Sequence, residues 1–96
     1  MSLNPKAEVW RLRQELTETM AMTLPEREFG AAMVMAMVGL HMTEAQIRKT
    51  QDLQERRRLL DEFIRERDII EKAITRLREE SYWYLCQSSA RQASMP

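Results

Sequence analysis

The sequence predicts an all-α fold: a long helical hairpin, two shorter helices packed on one of about forty-three residues, dimerising into a bundle. Three observations carry this prediction. The 96 residues include only two Gly and three Pro, so few turns can punctuate the chain. Apolar residues recur at spacings of three and four instead of alternating. With 44% hydrophobic and 31% charged residues the composition is that of a folded chain, and its length allows one small domain.

The first helix is expected from Pro5 to about Met22. Asn4-Pro5 is a non-helical lead-in, and Val9, Leu12, Leu16 and Met20 make a one-sided apolar stripe. Thr23-Leu24-Pro25-Glu26 has the form of a capping box, so the chain restarts or kinks at Pro25.

The second helix is expected from Pro25 to about Leu40. Phe29 to Val38 is apolar on every face, and such a helix has to be surrounded, in its own fold or at a subunit boundary. Phe29, Met33 and Met37 are its candidate core or dimer contacts. Gly39 to Met42 reads as the hairpin connection, followed by Thr43-Glu44-Ala45-Gln46 as a second capping box.

The third helix is expected from Glu44 to about Cys86, a stretch with neither Gly nor Pro. In heptads its seam contains Leu53, Leu60, Phe63, Ile70, Ile74 and Leu77. Glu44 with Arg48, Asp52 with Arg56, Asp61 with Arg65 and Asp68 with Lys72 stand four apart, acid first. Residues 1–88 form the single domain on this reading, and 89–96, rich in Ser, Ala and Gln, a frayed tail.

A helix of this length spans roughly 64 Å, whereas a compact globule of this size has a radius of gyration of only about 12 Å. The chain is therefore expected to be elongated. The first two helices, end to end, would run back along the third, placing Pro25 opposite Arg58 and bringing Glu26 or Glu28 near Arg56 or Arg57. A hairpin alone leaves the apolar second helix in water, and dimerisation covers it.

Fifteen basic and fifteen acidic residues cancel, so no global field draws the chain to nucleic acid or anionic lipid. Arg48, Lys49, Arg56, Arg57, Arg58 and Arg65 could contact phosphates, but neighbouring acids neutralise them and adjacent arginines diverge by about 100° on a helix. Nucleic-acid binding is thus the alternative reading. Met33, Met37 and His41 share a face and thioethers suit Cu(I), yet methionine is more simply a packing residue, and no metal or cofactor is expected. A single Cys and a single His, with no Gly-rich loop or paired carboxylates, do not suggest an enzyme.

Tyr82, Trp83 and Tyr84 fall where the first helix runs out in the hairpin register, and their rigid amphipathic rings suit a protein partner. Met1 to Lys6 has no charged-then-apolar leader pattern, and the uncharged run Phe29–Thr43 is shorter than the ~20 residues a membrane span needs. With Cys86 alone there is no disulfide framework. The expectation is a cytoplasmic, non-enzymatic homodimer that acts as a regulator, adaptor or chaperone-like protein by binding another, so far unidentified, protein.

Overall fold

A computed structural model describes the backbone of residues 3–94 and the side chains of residues 3–80. Among the described residues there are three α-helices, α1 (Pro5–Thr23), α2 (Phe29–Lys49) and α3 (Leu53–Ser94), one 3-10 turn at Glu26–Glu28, and no strand. The helices pack against one another as an elongated bundle, 68 × 28 × 16 Å, with a radius of gyration of 17.6 Å. That radius is well above the ~12 Å of a compact chain of this length, because α3 alone accounts for roughly 63 Å at 1.5 Å per residue.

α1 begins as expected. The Asn4 side chain accepts from the Ala7 amide at 3.3 Å, and Pro5 occupies the first turn, where its missing N–H costs nothing. Val9, Leu12, Leu16 and Met20 are buried along one stripe. The helix stops because Leu24 precedes a proline and is driven to extended backbone, φ −127° and ψ 153°. Thr23 does not cap the next helix: its hydroxyl donates back to the Thr19 carbonyl at 3.0 Å, inside α1. Arg13 of α1 shares a groove with Val38 and His41 of α2. The chain therefore reverses at Leu24–Glu28, instead of continuing end to end through a kink.

The larger correction concerns α2. Helix continues straight through Gly39 to Met42, the expected hairpin connection, and ends at Lys49. Leu40, Thr43, Glu44 and Ile47 are buried on the side that faces the bundle, with Leu40 and Ile47 in the apolar core. Each buried aliphatic side chain contributes roughly 1.5–3 kcal/mol, more than the ~1 kcal/mol that Gly39 costs inside a helix. The Thr43 capping box does not form, because its hydroxyl is turned to the Gly39 carbonyl at 3.0 Å and to Oε1 of Glu66 at 2.9 Å.

The connection between α2 and α3 is Thr50-Gln51-Asp52. Asp52 caps α3, its Oδ1 accepting from the Gln54 amide at 2.9 Å and the Glu55 amide at 3.5 Å. Its carboxylate is thereby engaged at the helix start, instead of with Arg56 as the four-residue spacing suggests. The register moves with the turn. Thr43 lies against Glu66, whereas Glu26 and Glu28 sit at the opposite end of α2 from the start of α3, about 30 Å away along its 21 residues. The expected meeting of Glu26 or Glu28 with Arg56 or Arg57 does not occur in this topology.

α1 and α3 are parallel. Arg11 pairs with Glu71, and Nε of Arg78 donates to Oγ1 of Thr19 at 3.0 Å, contacts separated by 60 and 59 residues. That constant offset sets the end of α1 level with residues 82–83. Beyond this point α3 continues for roughly a dozen residues, about 18 Å, without α1 beside it.

The core takes Val9, Leu12, Leu16 and Met20 from α1, Met37, Leu40 and Ile47 from α2, and Leu59, Phe63, Ile70 and Ile74 from α3. Of the expected seam, Met37, Phe63, Ile70 and Ile74 are buried, Phe29, Met33 and Leu60 pack partly buried against the core, and Leu77 is half-buried. Leu53 departs from it. It is the first residue of α3, 80% exposed, because the helix starts there and no neighbour reaches past the turn.

Candidate interaction surface

Within this single chain α2 is covered on one side only. Phe29, Met33, Met37, Leu40, Glu44 and Ile47 recur every three or four residues and face α1 and α3. The other side presents Val34, Met35, Val38 and Met42, exposed by 64, 81, 50 and 60%. No Asp, Glu, Lys or Arg occurs from Phe29 to Thr43. These four side chains put roughly 400 Å² in water, within the ~300–600 Å² of the largest apolar patch on a typical monomer, a patch that is often functional.

The surface widens toward α1. Arg13, Met33, Val34, Met37, Val38, His41 and Met42 line a groove of about 280 Å³ between the two helices. Trp10 stands one turn from Arg13 on the same side of α1, 63% exposed, with the Arg13 guanidinium carbon 5.6 Å from its ring centroid. At that distance a cation–π contact holds the guanidinium over the ring and at the margin of the apolar surface. Met33, Met37 and His41 do meet in one place, as their spacing indicates, although Met37 is fully buried and serves the core.

The sequence marks the second helix as apolar all round and in need of cover, with Phe29, Met33 and Met37 as its contacts; it does not single out Val34, Met35, Val38 and Met42 as the residues that face outward. A signal was present. In a helix apolar all round, the residues a quarter turn or more from the covered stripe stay outside once only two neighbours are available. Leu40 and Ile47 were missed for another reason, since both fall in or beyond the supposed turn.

The basic residues proposed for phosphate contact are spread over two helices. Arg48 is bound to the buried Glu44 carboxylate at 2.9 Å. Arg58 donates to Glu55 at 3.1 Å and stands 3.6 Å from Glu62. The hydrogen bond from Arg58 holds the Glu55 carboxyl below its ordinary range, and Glu55 in turn raises the guanidinium. Arg56, Arg57, Arg65 and Lys49 are exposed. Only Glu44–Arg48 of the expected acid-first pairs is among the ion pairs of the described residues; Asp68 instead accepts from its neighbour Arg67 at 3.1 Å.

Arg11 carries the densest charge cluster, held by Glu8 at 2.6 Å, Glu15 at 3.2 Å and Glu71 of α3. The hydrogen bonds that Arg11 donates to Glu8 and Glu71 push its pKa further up, so it remains charged throughout and acts as a clamp between α1 and α3.

Among the described residues, one buried side-chain oxygen lacks a partner. Oε1 of Glu66 accepts from Thr43, but Oε2 is buried without a hydrogen bond, and a Cβ on Gly39 would stand 3.4 Å from it. Tyr82, Trp83 and Tyr84 belong to α3 where it outruns α1, and their side chains lie outside the described residues. Among the described residues no helix is long and apolar enough to cross a membrane. Comparison with protein-family models, with curated proteins and with solved structures finds no significant match to this chain.

Proposed function

We propose that this chain works without catalysis, as a small all-α homodimer that acts by protein–protein contact. The observation that carries this reading is the uncharged outer side of α2, with Val34, Met35, Val38 and Met42 in water. A soluble chain gains by covering such a surface, at roughly 25 cal/mol per Å². The part of α3 that outruns α1, with Tyr82, Trp83 and Tyr84, then serves as the place where a further protein docks, in the role of regulator, adaptor or chaperone-like factor. Nucleic-acid binding through Arg56, Arg57 and their neighbours stands second, because Arg48 and Arg58 are already bound to carboxylates.

Thermal unfolding at several protein concentrations tests the dimer. Subunits that unfold on separation melt at a temperature that rises with concentration, whereas the melting of a monomer does not depend on it. We expect the midpoint to rise by several degrees between about 2 and 200 µM. An invariant midpoint contradicts the proposal. Retardation of duplex DNA at low salt, lost steeply as salt is added, would move the second reading to first place.

A further inference from the structure

We infer that the occupant of the α2 surface is α2 of a second copy, laid antiparallel across it with the two-fold axis at Val38. This rests on the self-association proposed above and adds the surface and the orientation. The first argument is the order of residues along the helix. About Val38 the outer side reads nearly the same in both directions: Val34 and Met42 stand four residues to either side, Ala31 and the half-buried Ala45 seven, and Met35 and His41 three. An antiparallel pair crossing at Val38 sets Val34 of one copy level with Met42 of the other, so apolar groups meet at the crossing and one turn to either side of it, with Met35 level with His41.

The second argument is charge. Glu26, Arg27 and Glu28 precede α2 and sum to one negative charge, whereas Glu44, Arg48 and Lys49 at its other end sum to one positive. Antiparallel packing places the acidic end of each copy beside the basic end of the other, Glu28 level with Arg48. Parallel packing would set like against like at both ends. The helix dipoles favour the same choice.

The third argument is area. The four exposed α2 side chains offer roughly 400 Å², about half of the ~800 Å² per partner of a standard interface. Trp10 and the stem of Arg13, at the edge of the same surface, supply more. The interface is at the lower end of the size range, and the expected Kd is micromolar.

Site-directed cross-linking of the whole chain in a Cys86→Ser background tests the arrangement, with a short bismaleimide as the linker. Positions 31 and 38 are exposed, so single cysteines there leave packing untouched, and circular dichroism verifies the fold of each variant. Chains bearing Val38→Cys are expected to link to one another. A mixture of Ala31→Cys and Ala45→Cys chains is expected to give about tenfold more linked dimer than Ala31→Cys chains alone. Efficient linking of Ala31→Cys chains to each other would overturn the antiparallel orientation. A dimeric mass in solution without linkage at Val38 would overturn the α2 contact while leaving self-association standing. A monomeric mass at every concentration would overturn both.

Discussion

Glu66 is the residue whose placement is least expected from its chemistry. Its carboxylate is drawn between α2 and α3, with Oε1 satisfied by Thr43 and Oε2 buried without a partner. Gly39 stands beside it, one turn before Thr43 on α2, where a Cβ would be in ordinary contact with Oε2. A buried acceptor left unmade costs about 1–3 kcal/mol, so this polar contact gives register more than it gives stability. Thr43→Val removes the one donor and is expected to destabilise the fold by about 2 kcal/mol in urea denaturation. Glu66→Gln keeps an oxygen for Thr43 and leaves the other terminal atom without a partner as before, so it is expected to change stability by less than about 1 kcal/mol. A neutral effect of Thr43→Val would mean that the Glu66 contact is not made in solution.

At the scale of the helices, the legible part of the fold was the part with strong period. The α1 stripe of Val9, Leu12, Leu16 and Met20 was readable, as were its Asn4-Pro5 start and the uninterrupted helix through Phe63, Ile70 and Ile74. The turns were not. Gly39 and Thr43 carry local stop-and-start signals, and burial of Leu40 and Ile47 on the bundle side overrode them, an energy that exists only once α2 has neighbours. The true turn at Thr50-Gln51-Asp52 lacks Gly and Pro, and Asp52 looked like half of an ion pair until its position as a cap was known. Moving the turn by about nine residues also converted a hairpin into three packed helices, which is why half of the α2 surface could not be assigned from sequence. Gly39→Ala separates the two arrangements. Within a continuous helix, with the new methyl in ordinary contact at 3.4 Å, it is expected to raise stability by about 0.5–1 kcal/mol. At a turn that needs glycine the same change would lower it.

For the whole molecule, the bundle is too thin to enclose α2. A 28 × 16 Å cross-section holds three helices with one core between them, and the second helix contributes only one of its sides to that core. Overall neutrality leaves no long-range repulsion to keep two copies apart. Light scattering coupled to size-exclusion chromatography, on the native chain injected from about 5 to 500 µM, decides between a self-associating chain and a lone three-helix bundle. Self-association gives a mass that climbs toward twice the 11.4 kDa of the chain as concentration rises through the micromolar range. A constant 11.4 kDa across that range would contradict it.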